Sequence, residues 1–333
     1  MVHWNRCPVA EEALRDWAAL IREAAAEPTS VHELVPGEPA YRGTLDAAKD
    51  GCGGVWIHGT EELAPIVWRV KFPPEVAKRL VSWENPTGDI TNSDLEMAGQ
   101  VFGWLALEAI APTRRKHVGV CSDNSATVGW QTRGASKRST TANRLLRILA
   151  IRLRKNRASP LTTRHIAGNR NALGDIPSRS FGWKKEWHFE NDDDFLTFFN
   201  NKFPLPNQNS WTGFRFTDEV SSKVMRELLT RGSPMEEWRR LPKLGKRYGR
   251  SGWPTANLSK CLRTWTAATS DASQESPQCS EDTCGKEKRE SPSTLEQFEP
   301  GSAASLRRSV WRRGDSPYTS KMEPTTSSPS NTC

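Results

Sequence analysis

The sequence predicts an α/β protein: a mixed five-stranded sheet with helices packed on its faces. Three features of the chain predict it. Between residues 41 and 72, the runs YRGTLDA, GCGGVWIHG and ELAPIVWRVKF are rich in Val, Ile and Trp and divided by turn residues, the pattern of short strands. From residue 92 to 181 the apolar period alternates between helix and strand. Beyond that point the alternation stops.

Residues 9–26 (VAEEALRDWAALIREAAA) set Leu14, Trp17, Ala18 and Ile21 three and four apart, on one face of a leading helix. Pro28, Pro36, Gly37 and Pro39 then punctuate the chain, so a domain is expected to begin near Tyr41. Gly51, Gly53 and Gly54 permit a tight return that makes the first two strands antiparallel. After a Pro-rich loop, SDLEMAGQVFGWLALEAI carries Leu95, Ala98, Phe102, Leu105 and Ala109 at helical spacing. A strand over 117–122, a short helix over 125–131 and a longer helix over 140–156 follow, the last burying Ala142, Leu145, Leu146, Leu149 and Leu153. The strand PLTTRHIAG and a helix over 176–181 close the unit. In such sheets chemistry gathers at strand ends where the strand order reverses.

This reading divides the chain into a helical tether or linker (1–39), the sheet domain (40–182), a helical extension (183–265) and a tail (266–333). The extension keeps the clusters FLTFFNNKF, VMRELL and EEWRRL, which predict two or three small helices. The tail is dominated by Ser, Glu, Pro and Lys and is expected to be disordered. A hydrophobic content of 36% over 333 residues is low for a chain packed throughout, which agrees.

The net charge of +8 favours a polyanionic partner. Seven scattered cysteines without a C-x-x-C pair support neither a disulfide framework nor a zinc knuckle. No apolar run approaches the roughly 18 residues that cross a bilayer, and the first residues are no secretory signal. An intracellular protein with no membrane partner is the expectation.

Four acids fall at element ends: Asp46, Glu96, Asp123 and Asp175. Carboxylate oxygens are the ligands that Mg²⁺ and Mn²⁺ prefer, and without an ion their clustering is repulsive. Each also has a purely structural explanation. Asp46 could open the turn DAAKDG. Ser93 and Glu96 form the S-x-x-E of a capping box. Asp123 could cap the helix after it, and Asp175 precedes a proline suited to a first helical turn.

Their order on the predicted layout, with the segments DAAKDGCGGVW, TNSDLEMAG, CSDNSATVGW, NRLLRILAIRL and HIAGNRNALGDIPSR, resembles the ribonuclease H (RNase H) domain of gypsy-like and DIRS-like retroelement reverse transcriptases over residues 40–182. The resemblance implies an RNase H-like fold and cleavage of the RNA strand of an RNA:DNA hybrid with two Mg²⁺ or Mn²⁺ ions. It implies Asp46, Glu96, Asp123 and Asp175 as ligands, and His165 as the histidine near the scissile phosphate. Asn124 and Asn171 match its pattern too, Asn124 as a candidate contact to the sugar-phosphate backbone or a turn former.

There are departures: Gly174 stands where Ala is usual, Pro177 where Leu is usual, and Ala48 where Ser is frequent. The proline is expected to limit the helix around Asp175 and displace that ligand. No aromatic-x-Asp-Asp hairpin of a polymerase occurs, and NDDDF is expected in a polar loop. A polymerase domain is therefore an expected partner, with this chain a piece of a larger polyprotein. A transposase-like acid order is disfavoured because the next glutamate after Asp123 is Glu186. A catalytically degenerate, nucleic-acid-binding fragment is the other alternative.

The 51 residues between Asp123 and Asp175 contain eleven Lys or Arg and no acid. On the 140–156 helix, Arg144, Arg147, Arg154 and Lys155 lie off the Leu stripe and are expected to track phosphates.

Overall fold

The computed structural model describes residues 8–35, 37–58, 64–182, 187–205, 209–230 and 234–249. The tail 266–333 and the end of the extension lie outside the described residues. The chain opens with helix α1 (Pro8–Ala26) and a single turn, α2 (Val31–Leu34). Strands β1 (Tyr41–Ala48), β2 (Gly51–His58) and β3 (Ile66–Lys71) follow, then helices α3 (Pro74–Arg79) and α4 (Asn92–Ile110). Next come β4 (Val118–Ser122), α5 (Ser125–Arg133), α6 (Thr140–Lys155), β5 (Thr162–His165) and α7 (Ala172–Arg179). The extension supplies α8 (Asp192–Lys202), β6 (Thr212–Phe216), α9 (Asp218–Leu229), α10 (Met235–Arg239) and β7 (Gly245–Tyr248).

One sheet has the order β5-β4-β1-β2-β3-β6-β7. β1 pairs antiparallel with β2 and β2 with β3, whereas β4 runs parallel to β1 and β5 parallel to β4. These five strands are the expected mixed sheet. The sheet is nevertheless wider than predicted, because β6 adds parallel to β3 and β7 antiparallel to β6. The extension is therefore not only helical. TGFRF and GKRY were hard to recognise as strands because each is short and finds its partner only across the sheet.

Helices cover both faces. On one, Trp56, Trp68 and Trp104 are fully buried with Phe102, Leu145 and Leu149, and the Trp56 Nε1–H donates to the Gly103 carbonyl at 2.7 Å. The predicted stripes of α4 and α6 are buried except at Ala109, which is exposed, and Leu153, which is half-buried. On the other face, Val55 and Val67 meet Leu173 and Ile176 of α7 and Phe195 and Phe199 of α8. NDDDF is not a loop: Asn191 caps α8, its side chain accepting from the Asp194 N–H at 2.8 Å.

Two further differences involve charge. An amphipathic helix normally turns its apolar stripe inward. In α1, however, Leu14, Trp17 and Ile21 are 68%, 65% and 62% exposed. The helix docks by its acidic side instead, with Asp16 paired to Arg147 and Glu23 to Arg154 and Arg239. Glu33 of α2 accepts from Arg154 and Arg157 at 2.9 Å each, and, against the opposing effect of burial, hydrogen bonds from the Ser30 backbone, Arg157 and the Ser30 hydroxyl hold its carboxyl down to about 2. The second difference is the binding of the extension by Arg69 of β3. Its guanidinium is buried between the Phe181 and Phe195 rings and donates to Asp192 (3.0 Å), Ser180 Oγ (3.1 Å) and the Asn191 carbonyl (2.9 Å).

Removing one partner of such a pair strands a buried charge. Asp192→Ala is accordingly expected to destabilise the protein by roughly 3 kcal/mol in urea unfolding. A loss comparable to that of an exposed pair, under about 1 kcal/mol, would show that the clamp contributes little.

Candidate metal centre

The topology brings the first and third acids together. β1 and β4 are parallel neighbours with the register Tyr41↔Val118 to Thr44↔Cys121, and continuing it two residues sets Asp46 beside Asp123. Asp46 lies within β1 rather than in the turn after it, and it is 3% exposed. Asp123 follows the last residue of β4, and the helix cap that it might have formed is made by Asn124, whose side chain accepts from the Thr127 N–H at 3.0 Å.

Glu96 reaches the same place from α4. The cap of α4 is Thr91 with Asp94, each side chain accepting from the other's backbone, so the Ser93–Glu96 capping box is not formed. Glu96 is thereby left for the site, 5% exposed, with Oε2 buried and without a hydrogen-bond partner. One carboxylate oxygen each from Asp46, Glu96 and Asp123 lie within 4.8 Å of one another.

Asp175 is outside this trio. It sits in the first turn of α7 and accepts from Arg179 at 3.2 Å. Its charge still raises the Asp46 carboxyl, so it stands close by. α7 begins at Ala172, three residues before Asp175, with Pro177 inside it, so the proline does not shorten the helix as expected. Close approach of backbone explains the glycine at 174, and Pro177 packs against the glycine at 53. A Cβ on Gly174 would lie 3.0 Å from the Leu45 carbonyl carbon and 3.1 Å from the Asp46 Cβ, and one on Gly53 would lie 2.5 Å from the Pro177 Cβ.

Burial and mutual repulsion shape the titration. Burial, reinforced by the charge of Asp46, pushes Glu96 up to about 10. Burial pushes Asp46 up to about 6, with Asp175 and Asp123 adding to the effect and a Ser178 hydrogen bond opposing it. Asp175 is raised by burial and by Asp123, against the pull of Arg179. An all-oxygen donor set, buried at Asp46 and Glu96 and half-buried at Asp123, with an unpartnered carboxylate oxygen fits a hard divalent cation, which would neutralise the repulsion.

The remaining predicted residues fall into two groups. His165 ends β5, paired with Ser122; its ring is exposed, with Nε2 3.0 Å from the Asp123 carbonyl. Asn171 is fully buried and pins α7 to β1, its Nδ2 donating to the Leu45 carbonyl at 3.1 Å and its Oδ1 accepting from Thr44.

The α6 cations do not form an open phosphate-tracking stripe. Arg144 donates to the Glu227 carbonyl at 3.0 Å and Arg147 pairs with Asp16. Arg154 pairs with Glu33 at 2.9 Å, and Lys155 lies 3.9 Å from Glu108. Acids of the tether, Glu108 of α4 and backbone of the extension reach them, which no helical periodicity reveals. Sequence reasoning also passed over Lys137, Arg138 and Arg170, whose exposed side chains make no ion pair or hydrogen bond among the described residues. Ser139, next to Arg138, donates to Asp94, two residues before Glu96. Arg170 ends a 3-10 turn whose Gly168 lies against Asp123, a Cβ there falling 3.1 Å from Oδ2.

No protein-family model matches the chain, and no curated protein does. Among solved structures it is similar to RNase H1 of the halophilic archaeon Halobacterium salinarum NRC-1, at 12% identity over 42% of this chain and 95% of that one, with a TM-score of 0.28. It is also similar to LC11-RNase H1 in complex with an RNA/DNA hybrid, at 17% identity over 41% of this chain and 92% of that one, with a TM-score of 0.29.

A carboxyl whose folded pKa is raised favours folding while protonated, so its contribution is present at low pH and lost as pH rises through the folded value. Without metal, stability is expected to fall as pH climbs from about 4 through 6, on the order of 3 kcal/mol from Asp46. Glu96 extends the decline towards pH 10. Glu96→Gln removes the proton uptake that folding requires at pH 8, where the buried Glu96 is neutral and the unfolded one ionised, and is expected to raise the metal-free Tm at that pH by roughly 5 °C while abolishing the Mn²⁺-induced Tm increase. A lower metal-free Tm in scanning calorimetry would contradict this.

Proposed function

We propose that this chain is a two-metal-dependent endoribonuclease that cleaves the RNA strand of RNA:DNA hybrids. In the same proposal it serves a gypsy-like or DIRS-like retroelement, with a reverse transcriptase polymerase domain as partner, in an intracellular setting. The observation that carries the reading is the convergence of Asp46, Glu96 and Asp123 within 4.8 Å on this sheet. The motif resemblance supplies the substrate and the retroelement setting.

Asp46, Glu96 and Asp123 would hold one ion and Asp175, the fourth acid, would help to hold a second; bound Mg²⁺ or Mn²⁺ would supply activation of water and stabilisation of the leaving oxygen. The protein's own residues do the rest. Burial of Asp46 and Glu96 keeps bulk water from solvating the carboxylates, which strengthens their hold on a cation. His165 donates from Nε2 to the Asp123 carbonyl, which leaves Nδ1 of the exposed ring to assist proton movement. Lys137, Arg138 and Arg170 bind phosphates on either side of the acids, positioning a duplex without reading its bases. Discrimination by 2′-OH and helix shape suits that arrangement.

The second reading, a degenerate fragment that binds nucleic acid without cutting it, draws support from the engagement of Asp175 by Arg179. One assay separates the two. Wild-type chain is expected to cut a labelled RNA:DNA hybrid in Mg²⁺ or Mn²⁺, and Asp123→Asn to lose roughly 100-fold or more with its fold intact. Binding by the wild type with no cleavage in either metal would leave the degenerate reading standing.

Salt dependence tests the cation assignment. Replacing Lys137 and Arg138 by Ala is expected to reduce the slope of log Kd for hybrid against log salt by about 2. Arg147→Ala is expected to leave that slope unchanged and to lower thermal stability, because its partner is Asp16.

A further inference from the structure

Ser178 lies in the segment HIAGNRNALGDIPSR, three residues after Asp175, and is fully buried against Asp46. Its hydroxyl donates to Asp46 Oδ2 and also lies 3.0 Å from the Asp175 carbonyl of its own helix. A serine hydroxyl has one proton to give, so the two acceptors compete. A carboxylate is the stronger acceptor than a helix carbonyl, and the charge-assisted bond prevails.

The face of α7 that carries Ser178 also carries Asn171 and Gly174, at helical spacing. Asn171 donates to the Leu45 carbonyl, and Gly174 rests where a methyl group would lie 3.1 Å from the Asp46 Cβ. An α7 lifted by a larger residue at 174 would carry the Ser178 hydroxyl away from Asp46. The face is small and polar where an apolar stripe would otherwise pack, and all three residues bear on the short stretch of β1 that contains Asp46.

We infer that Ser178 is the positioning residue for Asp46: its hydroxyl fixes the rotation of the carboxylate and thereby the oxygen presented to Glu96 and Asp123. α7 thus serves the site through Ser178 as well as through Asp175. The inference rests on the divalent-metal reading of the three acids. A partner that orients a ligand in this way sets affinity for the ion, and its loss typically weakens binding about 10- to 100-fold.

The test is Mn²⁺ titration of the full chain by electron paramagnetic resonance, alongside hybrid-cleavage kinetics. Ser178→Ala is expected to weaken Mn²⁺ binding about tenfold or more and to lower kcat with KM for the hybrid unchanged, whereas Ser178→Thr, which keeps the hydroxyl, retains near-wild-type affinity. Should the alanine variant not fold, Ser178→Cys carries the test, since a thiol of similar size is a weak donor. A folded Ser178→Ala or Ser178→Cys protein with a lower Tm but unchanged Mn²⁺ affinity would overturn the positioning role. Absence of Mn²⁺ binding by the unsubstituted chain is a different result: it would remove the metal-centre reading itself, and the role of Ser178 with it.

Discussion

Charge repulsion among buried carboxylates is the constraint on which the arrangement of this protein turns. Parallel pairing of β1 and β4 forces Asp46 and Asp123 side by side, and α4 brings Glu96 onto them. Among the described residues no lysine or arginine pairs with the trio, and the guanidinium of Arg179, whose charge is felt by Asp46, is held by Asp175. Folding such a group without a counter-charge is unfavourable, which is why a divalent cation is the natural completion of the site. The scaffold tolerates the penalty because the acids are fixed by rigid elements. A tryptophan-rich core lies under the sheet on one side, and α7 is drawn close by glycine contacts on the other.

Cations far from the acids solve a different problem. Helix α6 and Arg157 just beyond it offer a row of arginines, and the tether answers with Asp16, Glu23, Glu27 and Glu33. The result is an N-terminal helix that docks by its polar side and shows Leu14, Trp17 and Ile21 to solvent. The pairs are partly buried, so they are screened less by salt than surface pairs would be. Cations without a partner among the described residues stand near the acids: Lys137 and Arg138 beside the start of α4, and Arg170 beside Asp123.

The extension is part of the sheet. By adding β6 to the edge of β3 and β7 beyond it, it covers a strand edge that would otherwise be a template for aggregation. Arg69 connects this addition to the site, because it grips Asp192 of α8 and Ser180 just past α7 with the same guanidinium. The helix that carries Asp175 and Ser178 is therefore held from two directions.

Much of this was legible in the residues themselves. Apolar periodicity marked the strands and helices between residues 41 and 181, since burial of one face imposes period 2 or 3.6 locally. The four acids and His165 stood out by motif, and three of the acids do converge. What the tertiary structure alone decided depends on neighbours distant in the chain. Helical spacing could show that α1 and α6 each have two faces, but not which face of one would meet which face of the other. Short strands such as GKRY exist only because an open sheet edge is there to pair with them. A cation's availability to phosphate, and the reach of Ser178 to Asp46, depend on distances across the fold, and Coulomb attraction and hydrogen bonding act on those distances whatever the separation in sequence.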